Sequence, residues 1–415
     1  MSDTAQAAVG TAAQTAAETA ATVASNLGGQ LGAGPEALAK GIAVAESSKA
    51  WVHNLDPFLI QFTEQGGVRW YGLAYLMGFF VGFWLISVIA RRGLVAADGS
   101  KSLPEERIGD FVMAIVLGTM LGGRVGYALF YSQDLLTDFS SRFPFWGVLR
   151  VWEGGMASHG GMLGIIFACV YFAKRNGFDW MNLGDLTTLG GSLGIFFGRI
   201  ANFMNGELYG RPVAVNADGT PAIAWAVKFP SEAYLWLKHD AEKAISSEAA
   251  DLLPRLGNAM EALGTSQSHW LELCSRVRTS LASRNEIQGL IQKMIAATEH
   301  GNDAVLKALE PVLTARHPYQ IYASLLEGLL LLIIALVVWM KPRKPGVVGG
   351  VWLTSYAIVR IFTEQFRMPD AHIGFQLLGL TRGQWLSVAM LLGSLGVLAY
   401  ALKRNKLPIG GWLRR

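Results

Sequence analysis

Apolar residues run almost unbroken through seven stretches of the chain, near 70–90, 108–131, 157–174, 185–205, 319–340, 348–366 and 384–402. Each is long enough to cross the hydrocarbon core of a bilayer as a helix. The third has the least distinct start, because residues 154–164 are rich in glycine. The pattern predicts an all-α polytopic membrane protein with about seven transmembrane helices. Between spans four and five the pattern changes. Residues 207–317 open with the short apolar run Trp225-Ala-Val-Lys-Phe-Pro230 and then become charged. Apolar residues recur there at a spacing of three to four, as in Trp270-Leu-Glu-Leu and Ile287-Gln-Gly-Leu-Ile-Gln-Lys-Met294, which predicts a helical insertion over about 231–310.

The expected organisation is therefore an N-terminal extension with an interfacial lead-in (1–67), spans one to four (68–206), a head (207–317), spans five to seven (318–403) and a basic tail (404–415). The first 50 residues are rich in Ala, Thr and Gly, without the basic and apolar regions of a signal peptide, and predict a disordered or loosely helical segment.

Composition agrees with this picture. The chain is 52% hydrophobic and only 16% charged, too apolar for a typical soluble protein of 415 residues. The net charge of +4 is small, and the positive side chains collect in short loops, which marks orientation rather than nucleic-acid binding. Arg91, Arg92, Lys101 and Arg107 follow span one, Lys174 and Arg175 follow span three, and Lys341, Arg343 and Lys344 follow span five. Lys403, Arg404, Lys406, Arg414 and Arg415 close the chain, whereas the alternate loops hold only Arg142 and Arg150, then Arg367 and Arg382. The positive-inside rule then puts the N-terminus outside, the C-terminus in the cytoplasm and the head outside.

Small residues recur four apart within the spans: Gly78 and Gly82; Gly118, Gly122 and Gly126; Gly190, Gly194 and Gly198. Close helix packing is the simplest reading. Cys169 and Cys274 are far apart and suggest neither a metal nor a redox centre.

Polar residues that lipid tolerates poorly carry the chemistry. On a helix continued past Phe197, Arg199, Asn202, Asn205 and Gly206 fall within an arc of about 120°. In span six Tyr356, Arg360, Glu364 and Arg367 fall within about 80°, with Glu364 one turn from Arg360. A structural ion pair accounts for Arg360 and Glu364 but not for a second arginine on another span. Two arginines from different helices suggest recognition of a phosphate. Tyr71, in Arg69-Trp-Tyr-Gly72, reads equally as an interfacial anchor. Arg124, in Gly122-Gly-Arg-Val-Gly-Tyr127, either snorkels or faces an anionic ligand. His159 lies between glycine pairs in Trp152-Glu-Gly-Gly-Met-Ala-Ser-His-Gly-Gly161. It either accepts a proton from a thiol or hydroxyl, or bonds a neighbouring carbonyl. The chain has no HExxH, paired acidic metal motif, P-loop or GxSxG elbow, so the expected chemistry uses no metal and no cofactor.

Taken together, Gly198-Arg-Ile-Ala-Asn-Phe-Met-Asn-Gly-Glu-Leu-Tyr-Gly-Arg211 resembles the signature of prolipoprotein diacylglyceryl transferases. Arg69-Trp-Tyr-Gly72, Gly122-Gly-Arg-Val-Gly-Tyr127, Ser158-His-Gly-Gly161, His317-Pro-Tyr-Gln-Ile-Tyr322 and Tyr356 to Asp370 resemble its other motifs, in the same order. The resemblance covers roughly 68–230 and 316–402. Ala201 stands where that signature usually has Gly, and Ala323 where the family often has Glu. The resemblance implies an enzyme of the bacterial inner membrane whose partners are phosphatidylglycerol and the lipobox cysteine of preprolipoprotein signal peptides. Its products would be a thioether-linked prolipoprotein and glycerol phosphate. It further implies catalytic roles for His159, Arg199 and Arg360, and supporting or lipid-binding roles for Tyr71, Asn202, Glu207, Gly210 and Tyr356. Arg124, Asn205 and Glu364 join the expected substrate site on the grounds above. A lipid or anion transporter would also use arginines at a membrane boundary, although no internal repeat of the spans is evident. An assembly scaffold would leave the His and Arg arcs without purpose.

Overall fold

A computed structural model describes residues 50–63, 66–92, 103–141, 143–150, 155–216, 219–237, 252–368 and 379–411. The Ala-rich extension, Lys101, Arg142, the 152–154 part of the histidine motif, residues 238–251 of the expected insertion and the last four tail residues lie outside them. The described residues form two compact units. One is built on Tyr209–Pro318, with residues 50–54 and 379–381; the other on Leu55–Leu208, Tyr319–Met368 and the chain from Arg382.

In chain order the elements are β1 (Trp51–Val52), β2 (Phe58–Thr63), β3 (Gly66–Arg69), α1 (Trp70–Arg92), α2 (Ile108–Phe130), α3 (Ser158–Asn176) and α4 (Trp180–Met204). Then come β4 (Val227–Lys228), α5 (Gly257–Ala262), α6 (Gln267–Arg276), α7 (Leu281–Glu299), α8 (Asp303–Leu309) and β5 (Ala315–Arg316). The chain continues through α9 (Tyr319–Ala323), a π-helical segment (Ser324–Leu330), α10 (Leu331–Trp339), α11 (Val347–Thr363) and α12 (Arg382–Lys403). The fold is mostly helical, with five short strands that the hydrophobic pattern does not announce. Residues 51–68, expected as an interfacial lead-in, form three of them: β2 and β3 pair as an antiparallel hairpin leading into α1, and β1 pairs in parallel with β4.

Helices occupy all seven apolar stretches. Four of the helical stretches are long and apolar enough to cross a membrane: Trp70–Arg91, Glu105–Phe130, Tyr319–Trp339 and Gly383–Lys403. The other three fall short for separate reasons. α3 begins with Ser158-His159 and ends with Lys174-Arg175-Asn176. α4 carries Asn182, Asp185, Ser192, Arg199 and Asn202 among its apolar residues. α11 is apolar but has only 17 residues, about 25 Å at 1.5 Å per residue.

The expected glycine packing takes two forms within the larger unit. Gly118 and Gly122 of α2 lie against Gly160 and Gly164 of α3, so that a Cβ on Gly118 would come within 2.8 Å of Ala168 Cβ. Gly78 and Gly82 of α1 face Gly194 and Gly190 of α4 less tightly, at 3.4 and 3.2 Å from a Cβ to the facing Cα. Dispersion and close backbone approach hold such pairs together where lipid gives helices no hydrophobic reason to associate. Polar groups fix the register. The buried Asp185 carboxylate on α4 accepts the N–H groups of Gly346 (2.7 Å) and Gly349 (2.6 Å), capping α11 from a neighbouring helix. Trp352 Nε1 of α11 donates to Ser192 Oγ of α4 at 2.7 Å. Near the start of α4, Asp179 and Arg404 form a bidentate pair at 3.1 and 2.7 Å.

The smaller unit has its own core of Leu253, Met260, Trp270, Ile287, Ile291, Met294 and Leu309, drawn from α5–α8 and the turn before them. Trp270, Ile287, Ile291 and Met294 belong to the apolar runs of three-to-four spacing. Beside it β1, β4 and β5 make a three-stranded sheet. Arg316 of β5 pairs with Glu232 at 2.8 and 3.0 Å, both side chains being almost fully buried, and Thr314 Oγ1 donates to the same carboxylate at 2.7 Å.

Candidate active site

The C-terminal end of α4, the α9–π–α10 segment and the last turns of α11 bring the most concentrated polar cluster of the larger unit together. α4 stops at Met204, with Asn205 as its C-cap and Gly206 turning the chain at φ 61°. Arg199 and Asn202 therefore sit on its final turns, one turn apart. Leu208 follows at φ 56°, a conformation costly for a side chain with a Cβ.

Arg199 and Arg360 do converge, and what they converge on is a carboxylate. Glu327, fully buried, accepts from Arg360 Nη1 at 3.1 Å and faces Arg199 Nη2 at 3.4 Å. Its Oε1 also accepts from Tyr319 Oη at 3.1 Å and Thr363 Oγ1 at 2.7 Å. Arg360 Nη2 forms an ion pair with Glu364 at 2.9 Å, and Nη1 donates to the Tyr319 hydroxyl. Arg367 completes the cluster through Glu364 at 3.3 Å. Among the described residues, Arg199 and Arg360 share Glu327, and Arg360 and Arg367 share Glu364. The buried Tyr319 ring lies 5.7 Å from the Arg199 guanidinium and 6.0 Å from that of Arg360.

The two arginines are held differently. Arg360 is 14% exposed and fixed by Glu327, Glu364 and Tyr319. Arg199 is 22% exposed, and among the described residues its hydrogen bond is the long contact to Glu327. It retains donors for another anion. On α11, one turn before Arg360, Tyr356 stacks on Trp352 at 5.5 Å and 3°.

A second set of the expected residues meets beside this cluster. Asn202 Nδ2 donates to Glu207 Oε1 at 2.8 Å, and the Tyr71 hydroxyl accepts from Tyr75 at 3.2 Å. Gln320 holds the Glu207 carbonyl at 2.6 Å. The Asn205 Oδ1 is buried without a partner among the described residues.

Three residues expected at the site stand elsewhere or outside the description. The guanidinium of Arg124 donates to the carbonyls of Gly147, Val148, Arg150 and Gly155, at 2.9 to 3.2 Å, bracing the loop between α2 and α3. That geometry is loop support. Gly210 belongs to the smaller unit, where its N–H bonds the His317 carbonyl at 2.9 Å. Burial, with Arg211 beside it, holds the His317 imidazole below its ordinary range. His159 lies in the first turn of α3, and its side chain is outside the described residues.

Glu327 and Tyr319 are the residues that the arcs on spans four and six do not reveal. The signal for Glu327 is plain in retrospect: it is the single charge in Leu325-Leu-Glu-Gly-Leu-Leu-Leu-Leu-Ile-Ile-Ala335. Ala323, where the family often has Glu, is fully buried one turn away, and Glu327 supplies the carboxylate of this segment. Among the described residues, no group of three or more His, Cys, Asp or Glu gathers at metal-ligating range.

The sequence profile of the prolipoprotein diacylglyceryl transferases matches residues 57–400. A phosphatidylglycerol–prolipoprotein diacylglyceryl transferase of Bdellovibrio bacteriovorus is 43% identical over 363 residues, covering 88% of this chain and 97% of the relative. Proteins of the same name from Rhodospirillum centenum and Neisseria gonorrhoeae are each 32% identical, over 80% and 85% of this chain and 87% and 98% of their own lengths.

Proposed function

The chain belongs to the prolipoprotein diacylglyceryl transferase family, and from that premise we propose which of its residues carry the reaction. The activity is transfer of the diacylglyceryl group of phosphatidylglycerol to a prolipoprotein. The acceptor atom is the thiol of the lipobox cysteine in a preprolipoprotein, and the group moved is the sn-1,2-diacylglyceryl unit. The thiolate sulfur attacks the glyceryl carbon that bears the phosphate ester oxygen. A C–S bond forms, the C–O bond breaks, and glycerol phosphate leaves with the electron pair.

Arg199 and Arg360 stabilise charge as it grows on the departing phosphate, an effect strengthened where water is excluded. The observation that carries this reading is the convergence of both guanidiniums, from different helices, on the one buried Glu327 carboxylate. Arg199, with its spare donors, contacts the phosphate directly, while Arg360 supplies fixed positive potential. Tyr71, Asn202 and Glu207, with Asn205, shape the neighbouring lipid-binding wall; Tyr356 and Glu364 support Arg360. His159 takes the proton from the incoming thiol, since the thiolate is the nucleophile. Arg124 contributes by holding the α2–α3 loop.

The helices at all seven apolar stretches cross the inner membrane, with the N-terminus and residues 207–317 outside and the C-terminus in the cytoplasm. For α3, the exposed stripe Leu163, Ile166, Phe167 and Tyr171 supports a lipid-facing surface despite its polar ends. A transporter is not favoured, because the relatives carry the transferase name. The test is release of glycerol phosphate from proteoliposomes. Release that requires both phosphatidylglycerol and a lipobox cysteine peptide is the expected result. Release that does not depend on the peptide cysteine, or equal peptide-dependent release of ethanolamine phosphate from phosphatidylethanolamine vesicles, would overturn the reading.

A further inference from the structure

The residue that sets the geometry of both arginines is not itself positioned to touch substrate. Glu327 has no exposed surface, and its Oε1 is occupied by Arg360, Tyr319 and Thr363. Its placement is built into the backbone. The Ser324–Leu330 segment is π-helical, which inserts an extra residue per turn and rotates Glu327 relative to a regular helix. This segment is docked on α4 just before Arg199. Ser324 Oγ donates to the Phe196 carbonyl at 3.0 Å, and a Cβ on Gly328 would lie 2.7 Å from Phe196 Cα. Only glycine permits that approach. The carboxylate is thereby held at one height against Arg199 and Arg360, which come from different helices.

We propose that Glu327 is the positioning residue of the transferase site: it fixes the spacing of Arg199 and Arg360 and restrains the charge of Arg199 until a lipid phosphate competes for it. The proposal rests on the transferase reading for its kinetic consequence, and on the geometry alone for its binding consequence. Oε1 accepts from Arg360 at 3.1 Å and from two hydroxyls, whereas Oε2 faces Arg199 at 3.4 Å. A phosphate approaching Arg199 therefore displaces a weak contact, while Arg360 stays fixed. Without the carboxylate, both guanidiniums gain free positive charge and lose their common anchor. Anions then bind more tightly and turnover falls, because the misplaced arginines no longer match the charge that develops in the transition state.

The experiment uses the purified full chain in phosphatidylglycerol nanodiscs and compares the parent with Glu327→Gln. Two readouts are taken: kcat and KM for transfer to a cysteine peptide, and direct calorimetric binding of glycerol 3-phosphate to detergent-purified protein. The expected result is a loss of roughly 10- to 100-fold in kcat from a displacement on the scale of an ångström. The glycerol phosphate dissociation constant should fall several-fold, by roughly the effect of one uncompensated charge. A kcat near the parent value, or weaker anion binding, would overturn the proposal. A merely structural role would lower the melting temperature and leave anion affinity per folded molecule unchanged, and that outcome overturns it too. If the parent binds glycerol phosphate but transfers nothing, the transferase reading fails while the binding comparison still decides Glu327. Should Glu327→Gln not fold, Thr363→Val removes one hydroxyl from Oε1 at nearly constant volume. Anion affinity and kcat are then expected to shift in the same directions by smaller factors, and an unchanged pair of values would count against the proposal.

Discussion

Replacing Arg360 tests the charge logic of the cluster most sharply. Arg360→Ala removes the guanidinium that bonds Glu327 at 3.1 Å and Glu364 at 2.9 Å. Both carboxylates are at least 98% buried as side chains, so each loses its strongest compensation in a dry setting. Breaking a buried pair costs about 3–5 kcal/mol when the remaining charge is left alone. Here Arg199 still faces Glu327 and Arg367 still bonds Glu364, which places the cost near the lower end, about 3 kcal/mol. The catalytic loss is separate. Removing one preorganised group that stabilises developing negative charge lowers kcat by about 10²–10³. Arg360→Lys separates the two effects, because one ammonium keeps the charge but cannot bridge both carboxylates as a planar fork does. It should keep most of the stability and still lose about tenfold or more in kcat. The assay is steady-state transfer to a cysteine peptide in nanodiscs, normalised to folded protein by a thermal-shift measurement on the same sample. Turnover of Arg360→Ala within about threefold of the parent, in folded protein, would rule out a catalytic charge role for Arg360.

Three other outcomes are expected. Gly164→Ala drives a methyl into the Gly118 carbonyl across the α2–α3 contact and should lower stability by about 1–3 kcal/mol, whereas Gly191→Ala, with nothing within 4 Å, should be neutral or slightly stabilising in the same melting assay. Asn182→Leu replaces a buried amide whose two polar atoms have no partner among the described residues and should raise stability by about 1–3 kcal/mol, read from thermal unfolding in detergent. For Asp179, burial alone would raise the carboxyl pKa, but the Arg404 guanidinium and the N-cap bonds outweigh it and hold the group below the usual carboxylate range. The folded value is thus depressed, so the stabilisation is complete above about pH 4 and is lost as pH falls through the folded value. Comparing the acid limb of melting temperature against pH for the parent and Asp179→Asn should show the difference shrinking below about pH 4, and a constant difference would contradict the assignment.

Much of this architecture is legible in the chain because lipid imposes simple rules. Unbroken apolar runs locate the helices, and four-residue glycine spacing anticipates the α2–α3 contact between Gly118, Gly122, Gly160 and Gly164. The arcs on α4 and α11 bring Arg199 and Arg360 together because polar groups in such helices turn inward. Other features depend on tertiary context. Glu327 sits in a π-helical segment, and no residue pattern in Leu325–Ala335 marks that insertion. Arg124 satisfies the rule that a buried arginine needs partners, but those partners are loop carbonyls rather than an anion, and spacing within α2 does not distinguish the two. The short strands around Trp51, Val227 and Ala315 are only two residues each, below the length at which alternation can be read. Position 323 shows the limit of motif reading: the departure is visible in the sequence, while the carboxylate one turn on gains its meaning only from Arg199 and Arg360 across the helix interface.

Transfer of a diacylglyceryl group to a cysteine sulfur is read most directly by intact-mass analysis of a lipobox peptide incubated with purified protein and phosphatidylglycerol of defined acyl chains, beside a Cys→Ser peptide. A mass gain equal to one diacylglyceryl group on the cysteine peptide alone, with matching glycerol phosphate release, is the predicted result. An unmodified cysteine peptide in both detergent and liposomes, or equal modification of the serine peptide, would contradict it.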